Sequence, residues 1–271
     1  KSETEIQESE KKDFAEYHKM KVEITKNQKE AEEQFIQMEQ IHIFISDLYD
    51  SLGKMENASV SSIDEVKKIT TSSKPAKKLK RKLLFYAKLG LTKQGMKEAS
   101  DHFEAEKSAY YNLEFTPRAD IIGDNPDDIT DYKYGNNDVT GPDAFHGTFC
   151  AGIIGASQKN SLGIDGIANN VSLMSLRAVP NGDEYDKDVA LAIRYAVDNG
   201  AKVINMSFGK SYTANKGMVD DAFKYAEENG VLLVHAAGND NKNIDSSPNF
   251  PSDILLDNSK VNNLVCVGAS T

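Results

Sequence analysis

The residue best suited to chemistry in this sequence is His146, which opens the run HGTFCAG at residues 146–152. The small and apolar residues that follow predict a helix, and glycines within it permit close backbone approach. Histidine has an unperturbed pKa of about 6.5, which suits a general base that takes a proton near neutral pH. Taken alone, however, the run fits a packed histidine before a glycine turn equally well.

Two further groups follow apolar segments that have the character of strands. Asn239 closes the run AAGN at residues 236–239, and Ser207-Phe208-Gly209 closes the run NMSFG at residues 205–209. An amide at the carboxyl end of a strand can donate to an oxyanion as its charge develops. A free backbone edge in such a place can pair with an extended peptide. Each motif alone also fits an ordinary turn after a strand.

These groups lie in residues 117–271, where strand and helix patterns alternate. Apolar runs predict strands at 171–179, 202–207, 231–236 and 264–267, and helical periodicity predicts helices at 188–199 and 218–229. A glycine follows each of the two helices, as is typical of a helix end. Apolar strands separated by helices predict an α/β fold with a doubly wound parallel sheet. Functional sites of such sheets lie at the carboxyl ends of the strands.

Residues 1–116 follow a different pattern and predict an all-helical domain. This half is rich in Lys, Glu, Gln and Ala, and residues 10–52 contain neither glycine nor proline. We expect one long helix there, or two helices broken near its middle, with a stop at Gly53. We also expect a capping box formed by Ser62 and Glu65, and helices over 77–89 and 92–111. The chain therefore divides into a helical part, 1–116, and an α/β part, 117–271.

The charge balance limits the possible partners. The chain has 42 acidic and 32 basic side chains, a formal net charge of −10. This argues against binding to nucleic acid or to anionic membrane surfaces, which requires a basic face. The basic run KKLKRK at 77–82 is interpreted as a solvated helix face with Leu79, Leu83 and Leu84 turned inward. No run of 18 apolar residues is present, so no membrane span is expected.

The two cysteines and the N-terminal residues do not identify a compartment. Cys150 and Cys266 lie in apolar runs, which predicts two buried thiols. The first five residues are not followed by the apolar region of a signal peptide, and the first residue is not Met. We therefore expect the chain to begin inside a longer protein.

Taken in order, the motifs HGTxxAG, NMSxG and AAGN closely resemble the subtilisin-like serine proteases, over about residues 117–271. The runs GIA at 166–168, RAV at 177–179 and VCVGA at 265–269 support the resemblance. It implies that His146 is the general base and that Asn239 is the side-chain oxyanion donor. It further implies two substrate-binding segments, a strand that pairs with the residues before the scissile bond and one wall of the pocket for the residue next to that bond. These segments are Ser207, Phe208 and Gly209, and Ala236, Ala237 and Gly238, respectively.

The resemblance extends to certain exported bacterial members that carry a long Lys/Glu-rich insertion and a GNNDVTGPD segment before the histidine motif. This chain has that segment at 135–143. Residues 1–116 are then expected to be most of a helical insertion between the catalytic acid and His146, in an exported protease that acts on peptides or proteins. Calcium often accompanies the family, and Asn136, Asn137 and Asp138 offer oxygen ligands, but their spacing fits a turn equally well. We assign no metal and no cofactor.

The family's other two triad members have no counterpart in this sequence. No GTSMA-type serine motif occurs, and Ser270 is interpreted as structural because no helix follows it. Asp124, after ADIIG, comes nearest to the acid, but it precedes Asn125-Pro126, which predicts a turn. We expect both groups to lie outside the chain and the chain alone to be inactive, because the triad acts as a unit.

Two alternatives to a peptidase fragment remain at this point. One is a degenerate subtilisin-like domain that binds peptides without cutting them. The other places the function in the helical half, as an interaction or lid module. A nucleotide-binding α/β domain is disfavoured, because neither GxGxxG nor a Walker sequence is present.

Overall fold

The computed structural model of the chain describes residues 11–141, 143–180, 182–247 and 249–270. The chain forms two compact units, Lys1–Phe115 and Thr116–Thr271.

Four helices make up the described part of the first unit. They are α1 (Lys11–Glu56), α2 (Ile63–Lys68), α3 (Lys74–Lys88) and α4 (Lys93–Ala105), and a π-helical turn, Glu106–Tyr110, extends α4. Apolar side chains on one side of α1, including Ile45, Tyr49 and Leu52, are buried against Val66 of α2 and Leu83 of α3. The helical periodicity of the sequence is therefore used as predicted, with Leu79 and Leu84 partly buried beside Leu83.

The ends of these helices test two predictions. The capping box is confirmed, because the Ser62 hydroxyl accepts from the Glu65 N–H and the Glu65 carboxylate accepts from the Ser62 N–H. The predicted stop at Gly53 is wrong, since α1 continues to Glu56 and the left-handed residue after it is Asn57, at φ 48°. A Cβ on Gly53 would lie 2.6 Å from the Ala58 carbonyl oxygen, so this glycine admits the returning chain.

The second unit contains helices α5 (Phe145–Gly155), α6 (Asp186–Asp198) and α7 (Lys216–Glu228). Its strands are β1 (Val203–Met206), β2 (Leu232–Ala236) and β3 (Leu264–Val267). The strands form a parallel sheet in the order β1-β2-β3, with Met206 opposite His235 and His235 opposite Cys266. This agrees with an α/β fold.

The core of this unit lies between the sheet and two of its helices. Val189 and Ile193 of α6 and Phe223 of α7 pack in one buried cluster with Met206 and Leu233 of the sheet. Val203, Leu232 and Val265, at intervening positions of the strands, are exposed. Because strand side chains alternate between faces, the described core covers one face of the sheet. The doubly wound arrangement therefore stays a prediction.

Two predictions for this unit are wrong. Residues 171–179 form no strand, because no neighbouring strand pairs with them; Val171 and Leu173 instead place side-chain atoms beside Gly155. The cysteines are not buried thiols, since Cys150 is half-buried and Cys266 is exposed. An apolar run becomes buried only where a neighbour covers it, and within the described residues no strand pairs with the far side of β3.

Candidate functional site

His146 is the second residue of α5, and its side chain is exposed. The start of the helix is fixed by Asp143, whose carboxylate accepts a 2.8 Å hydrogen bond from the Phe145 N–H. The Thr148 N–H donates to the Ala144 carbonyl at 2.9 Å. An acidic side chain beside a helix N-terminus also interacts favourably with the helix dipole. The sequence around the histidine thus presents its ring to solvent from the first turn of a helix.

The neighbour of the imidazole is a thiol. Cys150 lies one helical turn after His146, and its Sγ is 3.9 Å from Nε2. Among the described residues, no carboxylate forms a hydrogen bond or ion pair with His146. The sequence motif did not single out this contact, although the four-residue spacing on a predicted helix would have indicated it.

The segment before the helix forms a tight turn around Asp138. Its carboxylate accepts from the Gly141 N–H at 2.9 Å and from the Thr140 N–H and hydroxyl at 3.1 and 2.9 Å. These bonds, the one from Gly141 first, lower the pKa of Asp138 because they stabilise the charged form. Asn136 Oδ1 accepts from the Asp138 N–H at 2.8 Å. The side-chain oxygens of Asn136 and Asp138 therefore serve the turn, and no group of three or more His, Cys, Asp or Glu within the described ranges is arranged to hold a metal.

The other end of α5 is closed by Gly166-Ile167-Ala168. Their N–H groups donate to the carbonyls of Ala156, Ile153 and Ile154 at 3.0, 3.0 and 2.8 Å, which satisfies acceptors that a helix end leaves free. A Cβ on Gly166 would collide with the backbone of Gly155 and Ala156, so this close approach requires glycine.

The two proposed substrate-binding segments leave the sheet side by side. Because Met206 pairs with His235, Ser207 follows β1 at the same edge where Ala236 closes β2. Ala237 donates to the Val267 carbonyl at 2.9 Å, which ties this segment to β3. Gly238 then takes a left-handed conformation, φ 93°, that turns the chain into the exposed Asn239. The carboxyl edge of the sheet thus carries Ser207-Phe208-Gly209, Ala236-Ala237-Gly238 and Asn239, as expected for a parallel sheet.

A buried histidine joins these two segments. His235 Nε2 lies 2.8 Å from the Phe208 carbonyl oxygen, and since that oxygen only accepts, Nε2 carries the proton. Burial lowers the pKa of His235, because the charged form loses its hydration, and the bond to Phe208 offsets part of that effect. His235 is therefore a neutral donor that fixes the position of the Ser207–Gly209 segment against β2. The signal for it in the sequence is one polar residue in the apolar strand LLVHA.

Asn249 supports the same edge from the other side. Its Nδ2 donates to the Ala236 carbonyl at 3.0 Å, and a Cβ on Gly209 would lie 2.8 Å from its Oδ1. The next residue, Phe250, exchanges backbone hydrogen bonds of 2.8 and 3.0 Å with Lys210. No pattern in the sequence identified these residues.

Lys210 then anchors the segment to the start of α6. Its Nζ donates to the Glu184 carbonyl at 2.6 Å and to Asp186 Oδ1 at 2.9 Å. Burial by itself would raise the pKa of Asp186, but the hydrogen bonds from Lys210 and the Asn215 N–H outweigh it and lower that pKa. The charged pair is therefore maintained in a buried place.

Asp124, the residue that comes nearest in sequence to the catalytic acid of the family, lies in a buried cluster of charged side chains. One carboxylate oxygen accepts from Lys187 Nζ at 2.8 Å, and the other pairs with Arg118. Arg118 also binds both oxygens of Asp188, which accepts from the Tyr134 hydroxyl. Residues 118–122 form a π-helical turn rather than a strand, and Asp128 N–H donates to the Asn125 carbonyl in the predicted turn. Asp124 is therefore held by structural partners.

Within the described residues, no hydrogen bond joins His146 to Asn239, so their convergence on one bound peptide stays a prediction. Ser270 lies beyond the end of β3, outside any helix or strand.

Comparisons with known proteins place this geometry in context. A family model described as the subtilase family matches residues 39–271. Thermitase of Thermoactinomyces vulgaris is 42% identical over 108 residues, which cover 40% of this chain and 37% of thermitase. A thermophilic serine proteinase of Bacillus sp. strain AK1 is 38% identical over 122 residues, 44% of this chain and 30% of that protein. The minor extracellular protease Epr of Bacillus subtilis is 41% identical over 96 residues, 35% of this chain and 14% of Epr.

These matches leave most of each relative uncovered, since the chain spans about a third of thermitase and less of the other two. Among solved structures, the S41 psychrophilic protease shares 34% identity with a region covering 31% of this chain and 27% of that one. Its TM-score is 0.25, too low to bear on the fold.

Proposed function

The chain belongs to the subtilase family, and on that premise we propose that it is part of a serine endopeptidase that hydrolyses peptide bonds. The observation that carries the proposal is the shared carboxyl edge of β1 and β2. Ser207–Gly209 and Ala236–Gly238 lie next to each other there, and Asn239 follows directly. An extended peptide paired with the first segment would place the residue before the scissile bond beside the second.

In this reaction His146 is the general base. It takes the proton of a serine hydroxyl as that oxygen attacks the peptide carbonyl, and then returns the proton to the leaving amine. Its exposed position in the first turn of α5 leaves the ring accessible to both groups. The Cys150 side chain, whose Sγ lies 3.9 Å from Nε2, restricts the ring on one side.

Asn239 stabilises the oxyanion that forms on the attacked carbonyl. Its amide donates a hydrogen bond that becomes stronger as negative charge develops, which is the condition for accelerating the chemical step. Loss of the corresponding donor in subtilisin itself costs about 2.7–4 kcal/mol. The turn at Gly238 gives the amide its position relative to β2.

The serine and the acid of the triad are supplied, in this proposal, by residues outside this chain. The supports are the missing serine motif and the engagement of Asp124 with Arg118 and Lys187. The chain alone then does not cleave peptides, because a triad that lacks members retains only residual catalysis. The reaction needs no metal or organic cofactor.

Two wider properties belong to the same proposal. The helical unit is an insertion that precedes the histidine motif within the catalytic domain. The protein that contains this chain is exported. The support for this part of the proposal is a relative, Epr, whose name describes it as a minor extracellular protease. Its substrates are peptides or proteins.

A second candidate is a subtilisin-like domain that binds peptides without cutting them. His146 has no carboxylate partner within the described residues, and this fits both candidates, since the first places the triad acid outside this chain. In this case the sheet edge still binds an extended peptide, but the full-length protein lacks a reactive serine.

Peptide hydrolysis tests the proposal. The 271-residue chain and the longer protein that contains it are incubated with a fluorogenic peptide library and with a fluorophosphonate that labels reactive serines. We expect the chain to be silent in both assays and the longer protein to be active and labelled. His146→Ala should abolish hydrolysis, and Asn239→Ala should reduce kcat by roughly 10²–10³-fold.

The matched control is His102→Ala, which alters an exposed histidine of α4 and should leave hydrolysis unchanged. Hydrolysis by the isolated chain that disappears in His146→Ala would contradict the division of the triad. A longer protein that binds peptides but is neither active nor labelled would establish the second candidate.

A further inference from the structure

Helix α3 carries a concentration of positive charge that the rest of the chain lacks. Its sequence, KPAKKLKRKLLFYAK, contains seven basic residues and no acidic one, in a chain of net charge −10. Six of the seven are exposed, and none of them forms an ion pair with a described acidic residue. The seventh, Lys80, is half-buried, and its Nζ donates to the carbonyls of Lys67 and Ile69 at 2.8 and 2.6 Å.

The exposed side of α3 also presents large apolar side chains. Phe85 and Leu89 are 58% and 60% exposed, and they lie one helical turn apart. Arg81 and Lys82 lie four and three residues before Phe85, and Lys78 lies seven before it, so all three share its side of the helix. We call the face formed by Lys78, Arg81, Lys82, Phe85 and Leu89 the α3 surface.

Helix α1 extends this surface. Phe44 of α1 is 46% exposed, and its ring packs edge to face against the Tyr86 ring, with 6.1 Å between the ring centres. The Lys82 ammonium lies 4.9 Å from the centre of the Phe44 ring. The opposite side of α3 already supplies the core of the unit through Ala76 and Leu83. The packing of the helical unit therefore does not explain why a phenylalanine and a leucine are exposed among cations that form no ion pair with a described residue.

This surface is a local exception to the acidic balance of the chain. The sum over the chain predicts no basic face, yet α3 concentrates cations while the acidic excess lies elsewhere in the sequence. Partners respond to the local field within about one Debye length, roughly 8 Å at physiological salt, rather than to the sum. A basic face on an acidic protein can therefore recruit an anionic partner.

We propose that the α3 surface docks on an anionic lipid bilayer. The cations of Lys78, Arg81 and Lys82 would meet the headgroup phosphates, and Phe85 and Leu89 would enter the boundary between headgroups and acyl chains. Within the described ranges, no helix combines the length and apolar character needed to cross a bilayer. A nucleic acid would use the cations but would leave Leu89 exposed, which is why the lipid surface is favoured.

Each cation close to an anionic surface strengthens binding by roughly fivefold, so removing three of them should weaken it by at least tenfold. The apolar pair contributes independently of salt, whereas the cationic part is screened. The proposal concerns the helical unit alone and does not depend on the peptidase activity.

Vesicle co-sedimentation of the full 271-residue chain tests this inference. Vesicles of equal parts phosphatidylglycerol and phosphatidylcholine are compared with vesicles of phosphatidylcholine alone. We expect binding to the anionic vesicles, little binding to the neutral ones, and a decrease with rising salt. The triple variant K78Q/R81Q/K82Q should bind the anionic vesicles at least tenfold more weakly. The variant F85S/L89S should also bind more weakly and lose the part that persists at high salt.

The control is K19Q/K26Q/K29Q, which removes the same charge from exposed positions of α1 and should change binding by less than about threefold. Circular dichroism verifies that every variant is folded.

Three results would overturn the proposal. One is the absence of binding to anionic vesicles by the unaltered chain. Another is an equal loss in the α1 control and the α3 triple variant. The last is tighter binding to single-stranded DNA than to vesicles, together with no effect of F85S/L89S, which would assign the surface to nucleic acid.

Discussion

Replacing Lys187 by methionine should destabilise the second unit strongly. The Lys187 side chain is completely buried, and its Nζ lies 2.8 Å from both Asp124 Oδ1 and the Asn125 carbonyl oxygen and 3.8 Å from Asp131. Methionine keeps most of the aliphatic volume, so the change isolates the charge and its hydrogen bonds. After the replacement Asp124 remains buried, and Arg118 is its one cationic partner among the described residues.

The magnitude follows from the burial. Removing one partner of a buried ion pair typically costs about 3–5 kcal/mol, because the remaining charge is left without compensation. Arg118 still neutralises part of the charge on Asp124, so we expect a loss of about 3 kcal/mol, at the lower end of that range. The matched control is Lys224→Met, which breaks the 3.2 Å pair with Asp257 at side chains that are 44% and 57% exposed. Exposed pairs contribute about 0–1 kcal/mol.

Urea unfolding followed by hydrogen exchange is the suitable assay, because exchange reports on α6 and α7 separately from the helical unit. Asp124→Asn in the Lys187→Met background completes a double-mutant cycle, and the second change should recover part of the lost stability by removing the uncompensated charge. Equal effects of Lys187→Met and Lys224→Met would refute the reasoning. Asp124 would then be a solvated carboxylate, and its candidacy as the catalytic acid would return.

Three further predictions concern the site and its supports. His235→Leu removes the donor to the Phe208 carbonyl and should weaken the binding of an extended peptide to the chain by about fivefold or more, since such a hydrogen bond contributes roughly 1 kcal/mol. Fluorescence anisotropy measures this binding. His235→Gln keeps an N–H donor and should recover much of the affinity. The folded pKa of His235 is lowered, so the stability that this residue contributes is complete above its unfolded pKa of about 6.5 and is lost as the pH falls through the lower folded value. Between pH 7.5 and 5.0 the urea midpoint should therefore fall more for the unaltered chain than for His235→Gln. Equal declines would count against a buried neutral imidazole. Gly166→Ala should cost about 1–3 kcal/mol because its Cβ meets the backbone at Ala156, whereas Gly147→Ala, with open space around it, should not destabilise the chain in the same calorimetric scan.

The regular elements could be predicted where packing uses the sequence periodicity directly. Helices α6 and α7 and strands β1, β2 and β3 lie within two residues of their predicted positions. The two helices and the first two strands pack their apolar side chains into one shared buried cluster. The strand expected at 171–179 failed for the complementary reason. A strand exists through hydrogen bonds to another strand, and the composition of one segment does not supply a partner.

Gly53 illustrates a second limit. A glycine near the end of a helical pattern usually marks the C-terminal cap, but here it lies inside the last turn, and Asn57 takes the left-handed conformation. The close approach of Ala58 explains the glycine, and that contact depends on the path of the following loop. Local sequence distinguishes poorly between these two uses of glycine.

The candidate site shows the same division. His146 and Asn239 could be recognised because their motifs are short and contiguous. The supports of the site, His235 and Asn249, act on Phe208 and Ala236 from positions 27 and 13 residues away in sequence. Such contacts arise from tertiary structure, so a pattern within one segment does not encode them. The lone histidine in an apolar strand was the available signal, and it became interpretable once its partner was known.

The two proposals assign separate roles to the helical unit and the α/β unit. The subtilase match begins at residue 39, inside α1, and continues through the helical unit into the α/β unit. The α3 surface and the sheet edge then use different residues for different partners. His146→Ala should accordingly leave vesicle binding unchanged, and K78Q/R81Q/K82Q should leave peptide binding to the sheet edge unchanged. Loss of both properties in either variant would mean that the two units act as one.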